Sequence, residues 1–254
     1  MEFTFLGTGT SQGVPVIACQ CAVCTSSDPR DQRLRTSGLL RSDTTTLVID
    51  TGPDFRQQML RQRVMDLDAV VYTHPHKDHT GGLDDVRAYN YLKDTDMPLY
   101  GTRAVLTHLE KEYYYIFQNP SYPGLPRIAF HEITGEEDLL IGDISLRPIP
   151  AMHGRMPVLG YRCGDFAYLT DVNYLSPTSM DLLAGVRYLA IDALRHQPHH
   201  SHYHVEAALE VVATLQPQAA YFIHISHLLG RHADVQASLP PGVYLAYDGL
   251  QLSW

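Results

Sequence analysis

The segment Thr73-His74-Pro75-His76-Lys77-Asp78-His79-Thr80-Gly81-Gly82 constrains this chain more than any other. It places three imidazoles and a carboxylate within six residues, at the point where the apolar run AVVYTH (69–74) stops. Such a cluster is costly to bury, and repels itself when protonated, unless a cation sits within it. The alternative is an exposed polar loop. Against that, a strand delivers the cluster to a sheet edge, which is where α/β enzymes place their sites. On an irregular turn, residues two apart can point the same way. His74 and His76 can therefore share one ion while Asp78 and His79 face another.

The rest of the chain supplies a sheet to carry that turn. TTTLVID (44–50), ISLRPIP (144–150), RYLAID (187–192) and AAYFIHIS (219–226) are short β-branched or aromatic runs that read as buried strands. DFRQQMLRQRV (54–64) and HVEAALEVVATL (204–215) repeat their apolar residues at three and four positions and read as helices packed on sheets. Gly164-Asp165 and Asp248-Gly249 each sit between apolar runs and signal hairpins, so the sheets are expected to be mixed. No fixed-period repeat is present, and the longest expected loop is Tyr113 to Arg127, placed to overhang a pocket. With 254 residues and 44% hydrophobic content, one domain spanning 1–254 is expected.

A net charge of −9 argues against general nucleic-acid binding, which needs clustered Lys and Arg. No apolar run reaches the roughly 18–20 residues of a membrane span. The opening MEFTFLGTG shows no basic n-region, so a cytoplasmic location and no membrane partner are expected. Cys19, Cys21 and Cys24 fall within six residues, too tight for an ordinary disulfide framework and suited to a thiolate metal site.

The pattern His-x-His-x-Asp-His after a strand, with Asp50 in LVIDTG upstream, resembles the signature of the metallo-β-lactamase superfamily. The resemblance implies an α/β (α+β by some schemes) four-layer αββα sandwich, with two mixed sheets flanked by helices. It also implies further ligands downstream, and His153, Asp171 and His224 occur in the expected order at strand ends. Carried across, His74, His76 and His153 hold one divalent ion, Asp78, His79 and His224 hold the other, and Asp171 bridges, with a hydroxide completing the bridge. Two ions about 3.5–4 Å apart polarise a phosphoryl or carbonyl oxygen and lower the pKa of water toward ~7. Zinc, manganese and iron all suit such ligands.

Three thiolates need a fourth ligand to close a tetrahedral zinc site, and His227, three residues beyond His224, is the expected one. Residues 19–24 would then form an N-terminal zinc-binding loop tied to the active-site rim. With this feature the chain is similar to the PhnP-type cyclic phosphodiesterases of the bacterial phosphonate-degradation (carbon–phosphorus lyase) system, from LGTGTSQGVP near the start to the expected final hairpin. That resemblance implies a histidine outside the metal shell as general acid, assigned to His202 in PHHSHYHVEAALE, with His199, His200 and His204 as its neighbours. His202 and Asp78 are the catalytic candidates.

The expected activity is metal-dependent hydrolysis of a small phosphodiester, cyclic on a sugar or nucleotide, with no organic cofactor. A homodimer is compatible with it. Endonucleolytic processing of tRNA 3′ ends is the runner-up, but those nucleases use a His-Glu-Ala-Thr motif and a basic arm, whereas His202 is followed by Tyr203-His204-Val205-Glu206. A thioesterase or lactonase, or an accessory protein of cofactor biosynthesis, is the third reading. The glycines of Gly7-Thr8-Gly9-Thr10-Ser11-Gln12-Gly13 are spaced wrongly for a dinucleotide fingerprint and read as a turn lining the site. Cys163 reads as a small buried side chain, and Arg155, Arg195 and Tyr122 are candidates to contact the non-reacting part of the substrate.

Overall fold

The computed structural model describes residues 1–118, 122 and 124–254. Two seven-stranded sheets face each other. In the first, the strands are β1 (Glu2–Gly7), β2 (Ser37–Arg41), β3 (Thr46–Ile49), β4 (Ala69–Val71), β5 (Met97–Gly101) and β6 (Ile128–Glu132). Their order is β1-β2-β3-β4-β5-β6, with a C-terminal strand, β14 (Gln251–Ser253), added beside β1. The second sheet holds β7 (Leu139–Ile141), β8 (Ile144–His153), β9 (Met156–Cys163), β10 (Phe166–Leu169), β11 (Tyr188–Asp192), β12 (Ala219–Ile223) and β13 (Val243–Leu245). Each sheet is mixed, with β3 to β6 and β10 to β13 running parallel.

The apolar runs are nearly continuous because both faces of each sheet are buried, one against the other sheet and one against helices. Side chains alternate along each strand. Leu47, Ile49, Ala69 and Val71 therefore join Phe3, Tyr161, Phe166 and Ile223 between the sheets. Val48 and Val70 point outward to Phe55 and Met59 of α1 (Phe55–Arg61), Tyr89 of α3 (Arg87–Lys93) and Val105 of α4 (Arg103–Glu112). On the opposite outer face Ile191, Ala220 and Phe222 meet Leu183 of α6 (Pro177–Leu183), Val205 and Ala208 of α7 (Val205–Leu215) and Val235 of α8 (His232–Ser238). The layers are αββα. Among the described residues no helix is long and apolar enough to cross a membrane.

The turn Gly164-Asp165 joins antiparallel strands, with Cys163 opposite Phe166. Asp248-Gly249 does not make the expected hairpin: β13 pairs with β12 in one sheet, and β14 pairs with β1 in the other. Asp248 is instead a buried anchor, accepting from Thr8 Oγ1 and Leu34 N at 2.8 Å each, so the chain crosses between the sheets there. The expected loop from 113 to 127 contains a short helix, α5 (Tyr114–Gln118), and its residues 119–121 and 123 lie outside the described residues.

Beneath that crossing, Arg33 is buried and donates to Thr8 Oγ1 at 2.8 Å and to His232 Nδ1 at 3.1 Å. His232 must accept, and so be neutral at that nitrogen; burial and the Arg33 charge hold its pKa down from 6.5 to about 4. A histidine whose folded pKa is depressed binds more protons when unfolded between those values. Its contribution is therefore complete above pH 6.5 and lost as pH falls toward 4. Urea midpoints measured from pH 7 to 4 are expected to fall less steeply in His232→Asn than in the parent. Parallel slopes would contradict this.

Candidate active site

The C-terminal ends of β3, β4, β8, β10, β11 and β12 lie at one edge of the two sheets, because β8 is antiparallel to β9 and β9 to β10. Asp50, His74, His153, Asp171, Asp192 and His224 come from those ends. Asp50, Asp171 and His224 hold left-handed backbone conformations at φ 65°, 55° and 55°. That geometry is uncommon for residues with a Cβ and persists only where surrounding contacts enforce it. His76 precedes α2 (Lys77–Thr80), whose first turn carries Asp78 and His79. Gly52 permits the close approach of this turn to β3, since a Cβ there would lie 2.2 Å from the Asp78 carbonyl oxygen.

Two donor groups stand out, His74, His76 and His153, and Asp78, His79, Asp171 and His224, each with ligand atoms within 4.8 Å of one another; His202 lies within the same span of His153 and Asp171, and of Asp192 and His224. Asp171 lies between them. Its Oδ1 is 3.2 Å from His224 Nε2 and 3.9 Å from His74 Nε2, while Oδ2 is 3.1 Å from His79 Nε2. His74 Nε2 and His76 Nδ1 approach to 3.2 Å.

The neighbours of these rings set which nitrogens face inward. Thr73 Oγ1 donates its one proton to Asp50 Oδ2 at 2.8 Å, so His74 Nδ1–H donates to Thr73 at 2.9 Å. His79 Nδ1–H donates to Asp50 Oδ2 at 2.7 Å, and His153 Nδ1–H to the Ser201 carbonyl at 2.7 Å. When these rings are neutral, all three Nε2 atoms present lone pairs to the cavity, the arrangement that outer partners of metal-ligating histidines impose. The fit to cations is shown by what protein atoms leave unsatisfied: His79 Nε2 and His224 Nε2 are buried without a hydrogen-bond partner. Burial opposes ionisation of Asp171, yet His224 and His79 outweigh it and hold its carboxyl well below the usual range. Burial pushes Asp50 up, partly offset by the charge of His79.

His202 lies over both groups, its ring stacked 4.7 Å from His224 and edge-on 4.6 Å from His153. Its Nδ1 meets Asp192 Oδ2 at 2.7 Å, leaving Nε2 free. Asp192, fully buried and pushed up by that burial, was not singled out from sequence. An isolated Asp after an apolar run has no spacing to mark it. His199 hydrogen-bonds locally with Ser201, while the His200 ring lies tilted against His199 and His204 precedes α7. Arg155 is exposed at the β8–β9 tip, and Arg195 donates to the carbonyls of Gln197 and Pro198. Tyr122 lines a separate cleft with Asn90, Phe117 and Arg127, away from the donor groups. The turn after β1 is tied to the segment that follows His224, Thr10 N donating to Ile225 O at 3.1 Å.

Cys19, Cys21 and Cys24 converge on His227 Nδ1 at 3.4, 3.4 and 3.5 Å. Ligands at about 2.3 Å (S) and 2.0–2.1 Å (N) from a tetrahedral zinc lie about 3.5 Å apart, so this donor set fits that ion. The Cys24 N–H pulls the Cys21 thiol down to about 6.

A four-layer αββα fold with these donor groups at its sheet edge defines the metallo-β-lactamase class of fold. A family model described as the beta-lactamase superfamily domain matches residues 45–225, and the chain belongs to that superfamily in its metallo-β-lactamase form. It is 41% identical to a solved diphosphatase of the PhnP family, with a TM-score of 0.92 over 99% of this chain and 96% of that one. It resembles that family within the superfamily. It is also 37% identical, over 99% of its length, to an octanoyltransferase of Porphyromonas gingivalis, and spans 51% of that protein. Zinc-bound PqqB of Methylobacterium extorquens shares the fold at 19% identity, with a TM-score of 0.80 and full coverage of both chains.

Elemental analysis of Cys24→Ala is expected to show one zinc fewer per chain, with the metals of the His/Asp groups retained. Unchanged zinc would contradict the assignment of the cysteine site.

Proposed function

We propose that the protein is a phosphodiesterase that cleaves a small, sugar- or nucleotide-derived phosphodiester, cyclic diesters included. The observation that carries this reading is His202, held by Asp192 over both donor groups, because only a poor leaving group such as an alkoxide needs a positioned acid there. Divalent ions held by His74, His76 and His153 and by Asp78, His79, Asp171 and His224 would supply charge neutralisation at the phosphoryl oxygens and water acidified toward ~7. Manganese and zinc suit the mixed imidazole and carboxylate set, and zinc suits the separate Cys19, Cys21, Cys24 and His227 set.

The protein's own residues then do the rest. Asp192 keeps His202 Nδ1–H engaged at 2.7 Å, which fixes the ring and aims Nε2 at the leaving oxygen. Asp50 and Ser201 fix the rings of His79 and His153. Because the PhnP-family relative is a diphosphatase, diphosphate linkages are the second substrate class. Acyl transfer through a cysteine is disfavoured: Cys163 is buried in β9 with its thiol pushed up to about 11 by that burial, and the other three thiols converge on His227.

Metal-replete protein, loaded with manganese or zinc, is to be assayed on bis-p-nitrophenyl phosphate, 2′,3′-cyclic nucleotides, a cyclic ribose phosphate, a dinucleoside diphosphate, a thioester and precursor tRNA. Activity is expected on the phosphodiesters; its complete absence would sink the reading. His202→Ala is expected to keep its metals and lose roughly 10²–10⁴-fold in kcat on alkyl leaving groups, with a smaller loss on p-nitrophenyl ones. Asp192→Asn is expected to show the same leaving-group selectivity, with little further loss when combined with His202→Ala. Equal losses on both leaving groups would argue against an acid role.

A further inference from the structure

A cleft of about 460 Å³ opens beside the donor groups, between the two sheets. The segments that line it are those that carry the donors. Pro75 stands between His74 and His76, Met152 and Met156 flank His153 at the β8–β9 tip, and Tyr174 follows Asp171 by three residues. Met152 and Tyr174 are joined through the backbone, Met152 N donating to Tyr174 O at 3.0 Å.

The chemistry of these walls differs from that of the metal-ligating edge. None of the described residues lining the cleft is charged. Its three aliphatic hydroxyls are engaged locally: Thr102 Oγ1 accepts from Val105 N at 3.4 Å, Thr134 Oγ1 from Glu136 N at 3.3 Å and Ser176 Oγ from Ser179 N at 3.1 Å. What remains is proline, methionine, valine, leucine and alanine surface with one tyrosine ring, 53% exposed. A sugar or a nucleobase edge placed there would exchange water for few directional partners, at a net cost. A hydrocarbon chain gives up no hydrogen bonds by entering, and two unbranched thioethers adapt to its shape.

We infer that this cleft is a subsite for a hydrocarbon substituent, an alkyl or acyl chain, on the non-reacting part of the substrate. The inference rests on the phosphodiesterase reading for what lies at the metal-ligating edge. Ala104, exposed in the first turn of α4, forms part of the wall and is the position from which the cleft can be altered without touching the core.

The test is calorimetric titration of the metal-replete protein with alkyl phosphates from methyl to octyl, beside hydrolysis of methyl p-nitrophenyl phosphate. Affinity is expected to rise about fourfold per methylene over the first several carbons. The rise is expected to flatten in Ala104→Trp, which fills the cleft, and in Ala104→Glu, which charges it. An affinity independent of chain length, or the same rise in both variants as in the parent, overturns the subsite. Turnover of the methyl diester with a flat series overturns the subsite alone. A steep series without turnover removes the phosphodiesterase reading and retains the subsite.

Discussion

The buried carboxylate of Asp171 is the constraint on which the rest of the site depends. An ionised carboxylate withdrawn from water needs positive charge or several donors within a few ångströms, and the cost of providing neither is several kcal/mol. Asp171 is surrounded by the Nε2 atoms of His74, His79 and His224, at 3.9, 3.1 and 3.2 Å. At least two of those rings are fixed so that their inward nitrogens carry no proton when neutral. With those rings neutral the cavity is one of lone pairs, which bound cations satisfy together with the carboxylate. Placing Asp171 between the two donor groups couples them.

The fold serves that requirement through its connections. Asp50 ends β3, accepts Thr73 N and Thr73 Oγ1 at 2.8 Å each, and binds His79 Nδ1. One carboxylate thus ties the neighbouring strand end, the following turn and the His79 ring together. Asp192 does the same in the second sheet, accepting from Val172 N at 3.1 Å while it holds His202. The sulfur and imidazole cluster at Cys19, Cys21, Cys24 and His227 joins the N-terminal loop to the segment carrying His224. Several of the loops that supply donors are thus bound to one another.

Much of this arrangement is legible in the sequence, for identifiable reasons. His74, His76, Asp78 and His79 are close in the chain, so their spacing carries the chemistry directly. The strands around 46–49, 69–71 and 219–223 announce themselves as apolar runs because both of their faces are buried. His153, Asp171 and His224 are lone residues at strand ends and are visible only through the family pattern. Asp192 has no such pattern, and its role emerges only when β11 is placed beside β12 and its carboxylate is seen under His202. Asp248-Gly249 carries the local chemistry of a hairpin turn, yet local chemistry does not encode which sheet each flanking strand joins. The tertiary hydrogen bonds of Asp248 to Thr8 and Leu34 decide that. The cleft of Met152, Met156 and Tyr174 is assembled from segments distant in sequence and has no linear signature at all.

The coupling through Asp171 is open to one direct measurement. Electron paramagnetic resonance of protein loaded with two equivalents of Mn(II) is predicted to show an exchange-coupled pair, and the Asp171→Ala variant is predicted to lose that coupling. A six-line spectrum of isolated Mn(II) ions in the parent protein at the same loading would contradict a bridging Asp171.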